Sequence, residues 1–77
     1  MPSDKPKFQR QQITAARGNG FFEVGIKIDN GIVRKVLCTL SGKMRRRNIK
    51  VVEGDYVDVE LDPSEMKKGI IVYRHRG

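Results

Sequence analysis

The segment FFEVGIKID, residues 21–29, has the clearest secondary-structure pattern in the chain. Apolar and polar positions alternate along it, and one face carries Phe22, Val24, Ile26 and Ile28. This period of two predicts a half-buried β-strand, because successive side chains of a strand point to opposite faces. The dipeptide that follows, Asn30-Gly31, is the one best suited to the positive φ angles of a type I′ hairpin turn. The sequence therefore predicts an antiparallel partner strand directly after this turn.

Other segments of the chain also show strand patterns. The partner strand, IVRKVLCTL (residues 32–40), has one face made of Val36, Cys38 and Leu40. The segment YVDVEL (residues 56–61) directs Val57, Val59 and Leu61 inward and Tyr56, Asp58 and Glu60 outward. Lys67-Lys68-Gly69 is predicted to close a loop before the last strand, IIVYRH (residues 70–75). A first strand is predicted over residues 9–16, followed by a turn at Arg17-Gly18-Asn19-Gly20.

The linker between the third and fourth strands is the basic decapeptide SGKMRRRNIK, residues 41–50. With Ser41 as its N-cap, this segment is predicted to form one or two helical turns. About five antiparallel strands with a short helix between strands three and four match the all-β, Greek-key barrel of the OB fold. An SH3-like small barrel is the structural alternative, and the position of the linker favours the OB fold.

Length and composition indicate one small domain of 77 residues. Residues 1–10 have a composition that resists packing and are predicted to form a disordered basic arm, and residues 11–77 a single OB-fold RNA-binding domain. The lone cysteine, Cys38, excludes an internal disulfide and is interpreted as a buried structural thiol. Cys38 and His75 together cannot make a four-ligand zinc site, so we expect no metal and no cofactor.

The net charge of +7 and the pI of about 10.0 predict a polyanionic partner. Nucleic acid is the first candidate. An anionic membrane is the second, but no long amphipathic helix and no membrane-spanning run is apparent, so we expect no membrane partner. The free cysteine and the absence of an apolar export signal at the N-terminus favour the cytoplasm or an organelle matrix.

The decapeptide holds the densest positive charge, with five cations within eight residues: Lys43, Arg45, Arg46, Arg47 and Lys50. A solvated loop is the simpler interpretation, but this density in an already basic chain favours contact with phosphates, which suit the planar fork of arginine. Met44 is predicted to be a core residue. A second basic cluster, Arg74-His75-Arg76, is interpreted as a further phosphate contact through its arginines, with a frayed tail as the alternative; His75 has no partner visible in the sequence.

Exposed aromatic residues are few, which favours recognition of phosphates and shape in folded RNA over a grip on unstacked bases. The carboxylates around strand four, Asp58 and Glu60 among them, are expected on a solvated face. No Gly-rich phosphate loop, metal-ligand cluster or nucleophile–base pair is apparent, so the sequence predicts a protein that is not an enzyme.

From about Val24 to Arg76 the chain resembles bacterial translation initiation factor one. The resemblance is carried by Ser41-Gly42-Lys43-Met44-Arg45, Ile49, Gly54-Asp55, Val57, Val59-Glu60-Leu61, Pro63, Lys68-Gly69, Ile71-Val72 and Arg74. It implies an OB-fold factor that binds the decoding A site of the small ribosomal subunit through rRNA, beside a ribosomal protein. Such a factor blocks premature tRNA entry and cooperates with the other initiation factors; we expect it to be a monomer when free.

The resemblance implies rRNA contacts at seven residues: Lys43, Arg45, Arg46, Lys50, Lys68, Arg74 and Arg76. The charge argument adds Arg47. The chain departs from the family pattern at Asn48, where an aromatic residue is usual, and in having about two more residues between Asn30-Gly31 and Ser41-Gly42. Two other hypotheses stay open at this point: a general RNA-binding or RNA-chaperone module of the cold-shock type, and a structural ribosomal protein.

Overall fold

The computed structural model describes residues 6–28 and 31–75. Its strands are β1 (Lys7–Arg17), β2 (Phe21–Lys27), β3 (Val33–Leu40), β4 (Tyr56–Asp62) and β5 (Glu65–His75), with the helix α1 (Gly42–Arg46) between β3 and β4. The strands close into a barrel in the order β1-β2-β3-β5-β4. Neighbouring strands are antiparallel except β3 and β5, which are parallel. This is the five-stranded OB barrel predicted from the sequence.

The barrel interior is filled by the aliphatic faces that the alternation predicts. The buried hydrophobic residues that the strands contribute are Ile13, Val24, Ile26, Val36, Cys38, Val57, Val59, Leu61 and Ile71. The predicted inward face of β2 is wrong at Ile28, which is exposed because β2 ends at Lys27. The type I′ turn predicted at Asn30-Gly31 lies in part outside the described residues; Gly31, which is described, has φ of +78°.

Strand β1 is longer than predicted and bends around the barrel. Its first half pairs with β4 and its second half with β2, with a register shift between Phe8 and Gln11. The disordered arm was predicted to include residues 7–10, but these residues lie in β1, because Phe8 pairs with Val59 and packs against the core. The predicted arm over residues 1–5 lies outside the described residues. The division into residues 1–10 and 11–77 otherwise stays a prediction.

The loop predicted at Lys67-Lys68-Gly69 is wrong. The chain turns instead at residues 63–64, and β5 already begins at Glu65. Lys68 and Gly69 are held in the sheet because they pair with Leu37 and Cys38 of β3. The Lys-Lys-Gly pattern is typical of a turn, but Gly69 lies within β5. Its missing side chain lets the backbone of β5 pass close to side chains of the core.

Gly69 lies where the barrel leaves no room for a side chain. A Cβ atom at this position would lie 2.9 Å from Val59 Cγ1 and 3.1 Å from both Cys38 Sγ and Leu61 Cδ2. A distance below 3 Å forces core atoms to move, and Val59 is fully buried. The need for glycine here is therefore steric and does not come from the backbone angles.

We predict that Gly69→Ala lowers the free energy of unfolding by about 1–3 kcal/mol, because overpacking a closed core forces strain on its neighbours. Urea denaturation followed by circular dichroism measures this. Gly18→Ala is the matched control, since nothing lies within 4 Å of a Cβ atom there. Equal stabilities for the two variants would contradict the packing described for Gly69.

Candidate nucleic-acid interface

The helix α1 is fixed at its start by Ser41 and Met44. The Ser41 side chain accepts a hydrogen bond from the Met44 backbone N–H at 3.2 Å, which confirms the predicted N-cap. The Ser41 backbone N–H donates to the Ile71 carbonyl at 2.9 Å and so ties the helix to β5. Met44 is only 2% exposed and belongs to the core cluster, as predicted. One buried side chain therefore fixes which face of α1 points away from the protein.

The end of α1 is a Schellman motif centred on Asn48. The Asn48 N–H donates to the Arg45 carbonyl at 3.1 Å, and the Ile49 N–H donates to the Met44 carbonyl at 3.0 Å. Asn48 itself has φ of +55°, in the left-handed region that asparagine tolerates better than most residues. Ile49 then packs against the core. Asparagine at this position, where the sequence departs from the family pattern, thus has a structural role in ending the helix.

With Met44 inward, the cations of the decapeptide all point away from the core. Each of the five side chains is exposed: Lys43, Arg45, Arg46, Arg47 and Lys50. Within residues 6–28 and 31–75, no ion pair involves any of them. Five neighbouring like charges repel one another. The described part of the protein therefore supplies no counter-charge to this surface.

Part of this charge lines a groove between α1 and β5, which we call the α1–β5 groove. Its volume is about 830 Å³, and its lining residues are Lys43, Met44, Arg47, Asn48, Ile49, Lys50, Val72, Tyr73, Arg74 and His75. The lining combines aliphatic side chains with four cationic side chains. Arg45 and Arg46 are exposed on α1 but do not line this groove. The site is thus a basic helix beside a basic groove.

Arg74 has a structural function in addition to its charge. Its Nη1 donates to the Lys50 carbonyl at 3.1 Å, and its Nε lies 3.5 Å from Asp55 Oδ2. Asp55 Oδ2 in turn accepts from the Val52 N–H at 2.9 Å. The Arg74 side chain is still 40% exposed. It therefore holds the segment after α1 against β5 while part of its guanidinium faces solvent.

Sequence reasoning predicted Arg74 on the β5 side of the groove but missed the roles of Tyr73 and His75. Tyr73 is 56% exposed, and its ring lies 4.9 Å from the His75 ring in an edge-on contact. His75 was expected to have no partner, but its Nε2 lies 2.5 Å from Asp58 Oδ1. The sequence signal was the spacing of Tyr73 and His75, two residues apart on one strand. The contact of His75 with Asp58 depends on the register between β4 and β5, which could not be predicted from the sequence.

The burial of Asp58 also differs from the prediction. It was expected on a solvated face, but it is only 6% exposed. The irregularity of β1 aims the Arg10 backbone N–H at Asp58 Oδ1, at 3.0 Å, and His75 covers the same oxygen. Burial by itself raises the pKa of Asp58. The hydrogen bonds from His75 and Arg10, helped by the charges of His75 and Lys7, outweigh burial and leave the pKa of Asp58 below its ordinary value.

The remaining predicted site residues are not brought to the groove. Lys68 lines a different cavity with Phe21 and Pro63, and its Nζ lies 3.8 Å from Glu65. Arg76 lies outside the described residues. Cys38 is buried as predicted, and burial raises its pKa to about 12, which keeps the thiol protonated.

Over residues 6–28 and 31–75, no group of three or more His, Cys, Asp or Glu side chains is arranged to hold a metal ion. In the same part of the chain, no helix has the length and apolar character needed to cross a membrane.

Comparisons with known proteins agree with this geometry. The family model described as "Translation initiation factor 1A / IF-1" matches residues 1–77. The chain belongs to this family. It is 36% identical to translation initiation factor IF-1 of Ureaplasma parvum, over 96% of this chain and 93% of that protein. It is 47% identical to the chloroplastic IF-1 of Tetradesmus obliquus, over 83% of this chain, and the match spans 59% of that longer protein.

Solved structures show the same relationship. The solution structure of the translation initiation factor IF-1 from the Wolbachia endosymbiont of Brugia malayi superposes with a TM-score of 0.68 at 33% identity, covering 95% of this chain and 80% of that one. The crystal structure of YjeQ from Thermotoga maritima also gives a TM-score of 0.68, at 27% identity, but the match covers only 23% of that chain. The chain is thus a translation initiation factor of the IF-1 type.

We predict that Asn48→Val lowers the free energy of unfolding by about 1–2 kcal/mol, because a β-branched residue is strained at positive φ. Asn48→Gly should cost far less, since glycine adopts this conformation freely. Chemical denaturation of both variants measures the difference. Equal losses for valine and glycine would mean that the left-handed cap is not what Asn48 provides.

A second prediction concerns acid stability. A carboxyl group whose pKa is lowered in the folded state stabilises the protein at pH values above its ordinary pKa, which is 3.8 for Asp58. This stabilisation is lost as the pH falls through the lowered pKa of the folded state. Asp58→Asn should therefore cost about 1–3 kcal/mol of unfolding free energy near pH 7. The gap from the wild type should narrow below about pH 4. Glu60→Gln, on the same strand, is the control; a gap for Asp58→Asn that stays constant down to pH 3 would contradict this account.

Proposed function

We propose that this chain binds the small ribosomal subunit at the decoding A site through rRNA, where it blocks premature tRNA entry and acts with the other initiation factors. Membership of the IF-1 family supports a role in initiation. The more specific assignment rests on the chemistry of α1 and of the α1–β5 groove.

The observation that carries the proposal is the uncompensated charge of α1. Its cations stand on a helix that is capped at both ends and anchored by Met44, and no acidic side chain in the described part of the chain pairs with them. Phosphate oxygens supply dense counter-charge, and guanidinium groups bind them in a bidentate manner. A folded RNA brings several phosphates to such a surface at once.

The α1–β5 groove adds a place for a base. Its volume is that of a small-molecule site, and the aliphatic side chains of Met44, Ile49 and Val72 line it between the cations. The Tyr73 ring is exposed at its side, and bases stack on such rings. An unpaired nucleotide of folded RNA fits this combination of an apolar lining and a cationic rim.

The proposed rRNA contacts are Lys43, Arg45, Arg46, Arg47, Lys50, Lys68, Arg74 and Arg76. The first five lie on α1 or directly after it, and Arg74 is fixed beside them. A neighbouring small-subunit ribosomal protein is a further proposed partner, and the free protein is proposed to be a monomer. The proposed location is the cytoplasm or an organelle matrix; the chloroplastic relative from Tetradesmus obliquus supports the second of these.

Charge reversal tests the proposal. We predict that Arg45→Glu combined with Arg46→Glu abolishes co-sedimentation with small subunits and leaves the circular dichroism spectrum unchanged, because neither side chain is buried. For the wild type, log affinity against log salt should fall with a slope of about −0.7 to −0.9 per phosphate contact.

The control is Lys7→Glu with Lys27→Glu, which changes the net charge equally at two exposed residues that line no described groove. It should reduce binding much less than the α1 variant. Unchanged binding by the α1 variant, or equal losses in both variants, would overturn the assignment. Equal affinity of the wild type for an unstructured oligonucleotide and for small subunits would favour a general RNA-binding module instead.

A further inference from the structure

A row of contacts on the outer face of β4 and β5 joins Asp58 to the exposed ring of Tyr73 through His75. Tyr73 lies directly opposite Asp58 in the register of the two strands, and His75 lies two positions further along β5, opposite Tyr56. His75 therefore reaches Asp58 diagonally across the sheet, over a distance that a ring side chain can span. Its ring also contacts the Tyr73 ring, with the centroids 4.9 Å apart and the planes at 80°.

The Asp58 end of this row is fixed by hydrogen bonds. Asp58 is buried, and its Oδ1 accepts both the Arg10 backbone N–H and a contact from His75 Nε2. The lowered pKa of Asp58 keeps its carboxyl group ionised at neutral pH, and an ionised carboxylate can only accept hydrogen bonds. The Nε2 atom of His75 therefore carries a proton and donates it to this bond, which sets the orientation of the imidazole ring.

The Tyr73 end depends on His75 alone. Tyr73 is 56% exposed, and within residues 6–28 and 31–75 its side chain makes one hydrogen bond, ion pair or ring contact, which is the contact with the His75 ring. An exposed aromatic side chain without such a partner changes rotamer freely. A ligand then has to immobilise it, and the lost entropy lowers the affinity. The edge-on contact with His75 removes this cost and leaves a face of the Tyr73 ring open.

We propose that His75 is a positioning residue of the α1–β5 groove, anchored on Asp58, which holds the Tyr73 ring in the orientation that lets an unpaired base of the rRNA stack on it. His75 and Tyr73 both line the groove, whereas Asp58 does not and acts through His75. The inference rests on the proposed function and deepens it, because it assigns a binding role to Asp58 and His75, which make no phosphate contact in that proposal.

The rotamers of Tyr73 in the free protein test the positioning role. Three-bond couplings across χ1 of Tyr73, measured by NMR, should indicate one rotamer in the wild type and averaged rotamers in both His75→Ala and His75→Gln. Glutamine can donate to Asp58 from its side-chain amide but offers no ring, so His75→Gln should keep most of the stability that His75→Ala loses. The same single Tyr73 rotamer in His75→Gln as in the wild type would overturn the proposal.

The affinity for small subunits, measured by co-sedimentation, tests whether this orientation serves binding. Tyr73→Leu should weaken binding about tenfold, because it removes the stacking ring. His75→Ala and His75→Gln should each weaken it about threefold to tenfold when Tyr73 is present, and neither should weaken it further in the Tyr73→Leu background.

Two other roles of His75 give different results in the same cycle. If His75 only stabilised the fold, His75→Gln would bind as the wild type does. If His75 contacted RNA directly, its loss would lower the affinity in the Tyr73→Leu background as well. Either result would overturn the proposal.

Tyr56→Leu is the matched control, because Tyr56 is the other tyrosine of the chain, is 41% exposed and does not line the α1–β5 groove. It should bind as the wild type does, and a loss equal to that of Tyr73→Leu would contradict the role given to Tyr73. The α1 charge-reversal variant, measured alongside, separates this inference from the proposed function. If that variant loses binding and the His75 variants do not, the positioning role is wrong and the proposed function stands. If that variant binds as the wild type does, the proposed function is wrong and this inference falls with it.

Discussion

The burial of Met44 is the interaction on which the rest of the site depends. A helix of five residues has too few hydrogen bonds to be stable on its own in water. It forms here because Met44 enters the core at the end of the barrel, while Ser41 caps the start of the helix and Asn48 ends it. Each of these three residues fixes the direction of the basic side chains between and beside them. Packing therefore comes first, and the electrostatic surface is its consequence.

That surface costs stability in the free protein. The cations of α1 repel one another, and four of the described acidic residues pair elsewhere: Glu23 with Arg17, Asp55 with Arg74, Asp58 with His75 and Glu65 with Lys68. The proposed binding to RNA would be reversible through contacts of this kind, because exposed ion pairs with phosphates are sensitive to salt and competition. The apolar barrel positions these cations, and no described acidic side chain pairs with them.

The sequence predicted those parts of the structure that follow from local rules. Alternation identified β2, β3 and β4 with their buried faces, and the position of the basic linker indicated the OB topology and the cap at Ser41. The missed features depend on strand register. Asp58 is on the outer face, as alternation predicts, but the bulge in β1 turns the Arg10 N–H toward it and His75 covers it. The packing of Gly69 against Val59 also depends on strand register and could not be predicted from the sequence. For Asn48, the residue type was visible in the sequence, whereas the positive φ that explains it was not.

We propose that α1 and the α1–β5 groove contact the rRNA of the decoding site. Chemical probing of small subunits with and without the protein tests this contact, because it reports which nucleotides become protected. We expect protection of the decoding-site adenines by the wild type and loss of this protection with the α1 charge-reversal variant. Protection only at other positions of the rRNA, or protection of the adenines that persists with that variant, would contradict it.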